Sequence, residues 1–552
     1  MSLSIRQENQ SLLVEAPRFT ARFDGAALAS VKDRATGAEF LHGAPGTFPL
    51  KLFYVQRDEL GADKHQQVTL QPLSEIAARV IVTGADSDRE LLVRLDPETG
   101  DLCVRPAGQS ARRGVVAVRW VLEFGPQVRL VLPCVNGVTV ETSRAFPRND
   151  RFAWPFRWCA QLAIAERDGA ALMIHSEDTA LKFKALDLVR EKESTRLGFD
   201  SEQTGPVWDN RCAGGVEWRL NTYAGDWTAP AARYRDWLRK TYALEAKRAA
   251  RPQWVNEISF AVQWVGTRPE LLAALAKLHP PRQTLIHFSD WRTSKYDVDY
   301  PDYAPTDGAK AFMAQANALG FRVMPHFNFF ACYNEHPLFR RVRDWQIRNL
   351  FKNEPEGWYW PPETHDYTRM GYIHPGLALW RRTLIDAVRR ACAALAAPAA
   401  FLDQTLCTWN TDNGLVESMT TVEGLRALQE EFAAIQPEAV LAGEGMNEIS
   451  FQRESFGQAH IHDGWGDLAP HHVDAAHSIC AFLWAGHTRL VGYYHLTPEA
   501  KPGGWGSGRM DLGIEVYRRM GAIPTLIPGD LACVTLENPP VRKVIELARE
   551  HA

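Results

Sequence analysis

The sequence predicts a multidomain β plus α/β protein: an antiparallel β-sandwich over residues 1–225, a linker helix over 226–250, and a (β/α)8 barrel of the TIM type over 251–552. Three observations predict this. Up to about Tyr223, short alternating runs are broken by turn residues, as in antiparallel strands with one buried face. Beyond Pro252, short apolar runs alternate with amphipathic ones, as in parallel strands joined by crossover helices. A chain of 552 residues is also too long for one core.

In the first part, Leu91–Leu95 and Leu102–Arg105 flank Asp-Pro-Glu-Thr-Gly-Asp, which reads as a hairpin with a type I turn and a left-handed glycine. Val115–Phe124 and Val128–Leu132 read as another around Gly125-Pro126, and Asn136-Gly137 between Val135 and Val138 signals a third. Tyr234, Trp237, Leu238 and Tyr242 then recur at three- and four-residue spacing, so a helix leaves the sandwich and ends by Pro252.

The barrel pattern begins with Ile258–Val265 as strand one and a helix over Pro269–Leu278 that has proline in its first turn. Thr284–Phe288 is strand two. Asp307–Leu319 is a helix closed by Gly320, and Phe321–Phe330 is strand three. An aromatic- and proline-rich insertion, Tyr333–Tyr372, precedes the helix Leu377–Ala396. Ala399–Cys407 is strand four, Val422–Ile435 a helix, and the run from Val440 to Glu444 strand five. Ala459–His462, Thr488–His495 and Ile523–Leu526 are the segments expected as strands six to eight. The glycine-rich Pro502–Gly508 follows no strand and lacks a trailing Lys-Ser/Thr, so it does not read as a phosphate loop.

Composition narrows the partners. The net charge is −4, from 62 basic and 66 acidic residues, and no basic run of five or more appears, which argues against nucleic acid and anionic membrane. A small molecule or oligosaccharide fits better. Nine cysteines stand singly without a CxxC, so neither a disulfide framework nor a zinc knuckle is expected. The polar stretch Met1–Gln10 and the lack of a membrane-length apolar run give the expectation of a soluble, cytoplasmic protein. Most of the 18 tryptophans are expected to fill two cores, and the rest would offer flat faces to sugar rings.

Two apolar runs end in an acid: Ala399-Ala-Phe-Leu-Asp403 and Val440-Leu-Ala-Gly-Glu444. The C-terminal strand ends of a parallel barrel open on one face, so Asp403 and Glu444 are expected to converge there. Retaining glycoside hydrolysis needs two carboxyl groups roughly 5–5.5 Å apart, one a nucleophile and one an acid/base. Asp403 is the expected nucleophile and Glu444 the expected acid/base, with Glu448 the competing acid. Trp264, Asp290, Trp291, His326, Asn328, Asp463, Trp465 and His495 lie at other strand ends and form the expected substrate-binding rim. Each alone is more often a satisfied structural residue; their common face is what points to a hydroxyl-rich ligand.

The late histidines His460, His462, His471, His472, His477, His487 and His495 raise the rival reading of a metal-dependent hydrolase. No HxH on an early strand has a later lysine partner, and the step from His472 to His477 does not place two rings on one helical face. No metal and no other cofactor is therefore expected.

The chain resembles glycoside hydrolases that carry an N-terminal galactose-mutarotase-like β-sandwich and a (β/α)8 catalytic barrel. In the sandwich the resemblance lies in Phe23–Phe40, in Phe152–Leu162 continuing through Gly169 to Asp178, and in Gly225-Asp-Trp with the helix after it. In the barrel it lies in Asp290-Trp, Pro301-Asp-Tyr-Ala-Pro305, Gly320–His326 and Phe401-Leu-Asp403. It implies a glycosidase with the strand-four Asp as nucleophile and the strand-five Glu as acid/base, while the substrate does not carry over; the activity expected here is a retaining one on an α-linked bond. Many relatives continue into a C-terminal β domain, whereas this chain stops soon after strand eight, so a homo-oligomer that covers this surface is one expected state. The alternatives to a glycosidase are the metal-dependent hydrolase and a non-catalytic carbohydrate-binding protein that keeps the barrel.

Overall fold

Alternating burial along the N-terminal strands builds three antiparallel sheets, because successive side chains of a strand point to opposite faces. The computed structural model describes the chain except for residues 1–2, 44–47, 57–65, 85–86, 142–149, 192, 295–297, 359–368, 406–407, 436–439, 460–473, 493–509 and 552. One compact unit comprises Met1–Asp236, Leu350–Lys352 and Trp409–Gly414; the other comprises Trp237–Asn349, Asn353–Thr408 and Leu415–Ala552. The division falls inside the helix Thr228–Thr241 rather than near residue 250, and the expected linker helix is two helices, the second being Leu244–Ala249.

In the first unit Ser4–Glu8, Ser11–Glu15, Phe19–Asp24 and Ala27–Asp33 form a four-stranded meander. A five-stranded sheet is centred on Thr195–Glu202, and a ten-stranded sheet contains Leu102–Ser110 and Trp218–Ala224. Aromatic rings fill the core. Trp120 and Phe199 come from the five-stranded sheet and Trp218 from the ten-stranded one; Trp218 packs on Phe199 at 5.1 Å and stacks on Trp158 at 5.9 Å.

The hairpin across Asp96–Asp101 forms as expected, pairing Leu95 with Leu102, with Gly100 at φ +71°. The Asn136-Gly137 hairpin forms as well, with Val135, Asn136 and Gly137 all at positive φ, and Gly137 N–H donates to the Cys134 carbonyl at 2.8 Å. The hairpin expected around Gly125-Pro126 does not form. Val115–Phe124 pairs with Thr195–Glu202 and Leu50–Tyr54, whereas Arg129–Leu132 pairs with Val138–Glu141 and Leu162–Arg167 in the other sheet. Gly125-Pro126 is a sandwich corner, and local turn chemistry cannot tell a corner from a hairpin.

The second unit is the barrel. Its strands are β1 (Phe260–Gly266), β2 (Thr284–Asp290), β3 (Arg322–Asn328), β4 (Ala399–Asp403), β5 (Val440–Gly443), β6 (Glu454–Gln458), β7 (Arg489–Val491) and β8 (Thr525–Leu526). They pair in parallel in the order 7-6-5-4-3-2-1-8, and a parallel bridge between Val491 and Ile523 joins the two ends. Helices α1 (Pro269–Leu278), α2 (Asp307–Leu319), α3 (Ala378–Leu395) and α4 (Thr421–Ile435) follow β1, β2, β3 and β4 in the chain. The Thr306 side chain caps α2 by accepting from Ala309 N–H at 3.0 Å, and Gly320 ends it at φ +96°. Such caps satisfy backbone groups that a helix end leaves unpaired.

Strand six lies before Ala459, and residues 460–462 of the expected segment are outside the described residues. It is Glu454–Gln458, an all-buried run whose polar side chains hide the apolar signal a buried parallel strand usually gives. The insertion after β3 carries a small sheet of Ala331–Tyr333, Met370–Tyr372 and Gly357–Trp358. No helix among the described residues is long and apolar enough to cross a membrane.

Candidate active site

Every second residue of a barrel strand faces the interior, and here the interior changes character toward the C-terminal ends. The apolar core holds Ala261, Leu285, Met324, Phe401, Ala442 and Phe456, one from each of β1 to β6. Two residues further along the same strands come Gln263, His287, His326, Asp403, Glu444 and Gln458. The alternation that buries the core thus delivers a polar ring above it.

Asp403 and Glu444 are neighbours in this ring. Leu402 pairs with Gly443, so the two acids are the next residues in register on adjacent strands, whose backbones lie about 4.8 Å apart. Glu444 N–H donates to the Leu402 carbonyl at 3.2 Å, and Gln404 N–H donates to Glu444 Oε2 at 3.1 Å. Gln404 makes that bond from a left-handed conformation, φ +66°, which aims its N–H across the strand gap. Both acids are largely buried, Asp403 at 9% and Glu444 at 5% exposure.

Asn328, opposite Asp403 on β3, donates from Nδ2 to Asp403 Oδ2 at 3.2 Å and to Gln404 Oε1 at 3.0 Å. Its orientation is fixed from behind. Oδ1 accepts from Phe330 N–H at 2.9 Å and Ala331 N–H at 2.7 Å, so the amide nitrogen must face the carboxylate. Tyr303 OH donates to the Asn328 carbonyl at 2.9 Å and accepts its N–H at 3.0 Å.

A second line of groups points toward Asp403 through two imidazoles. Trp264 N–H donates to His287 Nδ1 at 3.5 Å, His287 Nε2 lies 3.0 Å from His326 Nδ1, and His326 Nε2 lies 3.9 Å from Asp403 Oδ2. A backbone N–H only donates, so His287 Nδ1 accepts and its proton sits on Nε2; His326 Nδ1 then accepts and its proton sits on Nε2, toward the carboxylate. Burial favours neutral rings here, pushing His287 down to about 3 and His326 well below the usual imidazole range, with neighbouring His287 and Arg292 adding to the latter. The first donor depends on a bulge: β1 loses register between Val262 and Val265, and Trp264 takes φ +57° there. Trp264 packs edge-on against His287, centroids 5.1 Å apart, while Phe401 lies 4.5 Å from His287 and 5.5 Å from His326.

Behind β5 is a third carboxyl. Glu454 is wholly buried, accepts from Gln429 Nε2 at 2.8 Å, and is pushed up to about 8 by burial against the opposing hydrogen bonds of Thr405 and Gln429. Gly443 makes room for it: a Cβ there would lie 2.4 Å from Glu454 Oε2 and 2.2 Å from Thr405 Oγ1.

The expected site residues divide as follows. Asp403, Glu444, His326 and Asn328 come together at the strand ends, with Trp264 against the imidazoles. Asp290 ends β2 as an exposed rim residue. Trp291 is not part of the inward face; it is buried against Phe327 and Tyr303 and donates from Nε1 to the His326 carbonyl at 3.2 Å. Glu448 is buried in the turn after β5. Asp463, Trp465 and His495 lie outside the described residues, as do His460, His462, His471 and His472. His477 accepts from Ile479 N–H at 3.1 Å, and His487 is buried beside the Gln452 carbonyl at 3.4 Å.

Gln263, His287, Gln404 and Gln458 were not expected. Extending the period of two from Leu285 would have found His287, but the bulge in β1 and the misplaced strand six hid the two glutamines on those strands. Among the described residues, no group of three or more His, Cys, Asp or Glu side chains is placed to hold a metal ion.

A family model described as a domain of unknown function, DUF6259, matches residues 216–413. No protein with a curated description matches the chain. Among solved structures, the ligand-free alpha-N-acetylgalactosaminidase NagBb from Bifidobacterium bifidum is similar over 98% of this chain and 93% of its own, with a TM-score of 0.71 and 16% identity. The GH36 alpha-galactosidase AgaB from Geobacillus stearothermophilus is similar over 100% and 86%, with a TM-score of 0.52 and 9% identity. The galactosidase domain of AgaSK gives 99% and 86%, 0.51 and 10%. At such identities the likeness is one of architecture: this chain has the fold of these glycosidases.

Proposed function

We propose that this protein is a retaining glycoside hydrolase acting on an α-linked galactose-type sugar, with Asp403 as nucleophile and Glu444 as acid/base. The observation that carries the reading is the pair itself: two buried carboxyl groups in register on adjacent strand ends, each with its own donor. The sugar class is carried over from the alpha-N-acetylgalactosaminidase and alpha-galactosidases that share the fold.

In the first step Asp403 attacks the anomeric carbon while Glu444 gives its proton to the departing glycosidic oxygen. The bond to the leaving group breaks as the bond to Asp403 forms. Asn328 Nδ2–H donates to Asp403 Oδ2 and aims the carboxylate, and His326 Nε2–H faces the same oxygen from 3.9 Å, beyond hydrogen-bond length. Gln404 N–H on Glu444 Oε2 steers the acid's proton to Oε1. In the second step ionised Glu444 takes a proton from water, the water oxygen attacks the same carbon, and Asp403 leaves as a carboxylate.

The test is turnover of aryl α- and β-glycosides, including α-galactoside and N-acetyl-α-galactosaminide, by wild type, Asp403→Ala and Glu444→Ala, with and without chelator. Both substitutions are expected to lower kcat by at least ~10³ on the α-substrates, the scale lost when a covalent or proton-transfer role is removed. Azide should restore Asp403→Ala with an inverted product. Activity that survives both substitutions sinks the pair, and activity lost to chelator favours a metal-dependent hydrolase. Ligand binding without turnover in any protein would favour a carbohydrate-binding role.

A further inference from the structure

Among the described residues, two members of the polar ring have side-chain amides with no hydrogen-bond partner. Gln263 on β1 and Gln458 on β6 are 2% and 1% exposed, and in each both the amide oxygen and the amide nitrogen lack a hydrogen bond. A buried polar group left without a partner loses its hydration with nothing in return, so leaving four such atoms in one barrel is costly unless something else satisfies them. Their neighbours differ: His287, Asp403 and Glu444 in the same ring are engaged by protein donors and acceptors.

The location of the two amides is informative. Ala261 and Phe456 belong to the apolar barrel core, and Gln263 and Gln458 follow them at the next inward position. In the strand order Gln458 stands beside Glu444, and Gln263 stands four strands away from Glu444, across the ring. The carboxylate pair is therefore flanked from two sides by neutral groups that each offer one acceptor and one donor edge. A hydroxyl group is the ligand group that both donates and accepts, whereas a carboxylate only accepts and an ammonium only donates.

We propose that Gln263 and Gln458 are substrate-binding residues, each pairing its amide with a separate hydroxyl group of a neutral sugar held over Asp403 and Glu444. The assignment of the ligand as a sugar rests on the proposed glycosidase function. The glutamines then act as a specificity filter, since a site built to hydrogen-bond a hydroxyl rejects an analogue without it.

The test uses the full chain carrying Gln263→Met or Gln458→Met, which keep side-chain length and remove the amide. Two quantities are read: calorimetric affinity for 1-deoxygalactonojirimycin, 1-deoxynojirimycin and their 2-acetamido counterparts, and the melting temperature without ligand. Each substitution is expected to weaken the iminosugar that wild type binds best by about tenfold or more. Each is also expected to raise the ligand-free Tm by roughly 1–2 °C, because an orphaned amide has been removed. A residue with a merely structural role would not move the two readouts in opposite directions. Unchanged affinity, a lowered Tm of the kind expected for a glutamine held by a buried water, or a wild type that binds none of the four compounds overturns the proposal. Binding needs no turnover, so a failure of Asp403 and Glu444 as the catalytic pair would appear in the kinetics and leave these measurements standing.

Discussion

Asn328 and His326 are turned toward Asp403 by different means. Asn328 is oriented by two backbone N–H groups on its own strand exit, so its donor direction is set locally. The direction of His326 is set two residues away in space: Trp264 N–H fixes the tautomer of His287, which fixes that of His326. Groups that orient a functional side chain are typically worth about tenfold to a hundredfold in activity. His287→Phe should therefore lower kcat/KM on an aryl α-glycoside by about tenfold or more. His287→Gln, whose amide can accept from Trp264 and donate to His326, should recover most of that loss. Equal losses in the two variants would show that only the volume at position 287 matters.

Helices α3 and α4 are clamped around the segment Pro375-Gly376. Arg381 on α3 donates from Nη1 to the Pro375 carbonyl at 2.9 Å and the Gly376 carbonyl at 2.6 Å, and from Nε to Glu431 on α4 at 2.9 Å. Gly424 on α4 allows the close approach; a Cβ there would lie 2.4 Å from Gly376 N and 2.5 Å from the Pro375 carbonyl carbon. Two effects oppose each other in Gly424→Ala. Helix propensity favours alanine by about 0.5–1 kcal/mol, and overpacking costs about 1–3 kcal/mol. The contact is with backbone, which cannot swing aside, so the cost wins. Gly424→Ala is expected to destabilise the barrel by roughly 1–2 kcal/mol in denaturant melts; a stabilised variant would mean that α4 can shift outward freely.

Buried titratable groups make the stability of the whole chain depend on pH in a signed way. Burial pushes Glu454 up to about 8 from its usual 4.5, so between those values the folded state keeps a proton that the unfolded chain has released, and raising the pH lowers stability. Burial pushes His279 and His487 down to about 4 and His287 to about 3, from 6.5. Below pH 6.5 the unfolded chain therefore holds protons that the folded one lacks, and raising the pH raises stability. Three imidazoles outweigh one carboxyl there, and above 6.5 the Glu454 effect continues alone until about 8. Buried thiols extend the decline, with Cys103, Cys332 and Cys392 pushed up to about 12 from 9.0. The melting temperature of the barrel should peak near pH 6.5, and Glu454→Gln should flatten the fall from there to pH 8. A fall of unchanged slope in that variant would assign the effect to another group.

Period and turn chemistry determined a large part of this protein. The bounds of α1 and α2 follow from the proline that opens one, the glycine that ends the other and the apolar spacing of both, though the cap of α2 is Thr306 and not Asp307; strands one to five follow from short apolar runs between helices, and the acids ending strands four and five from the register of those runs. These signals are local, because backbone geometry repeats every two or 3.6 residues. Tertiary structure decided the rest. Gly125-Pro126 turns a corner instead of a hairpin because pairing partners lie some seventy residues away. Trp291 is core rather than platform because Phe327 and Tyr303 close over it. The β1 bulge, the tautomers of His287 and His326, and the unmatched amides of Gln263 and Gln458 exist only once six strands stand side by side. A sequence lists donors and acceptors; which of them meet is fixed by the closing of the barrel.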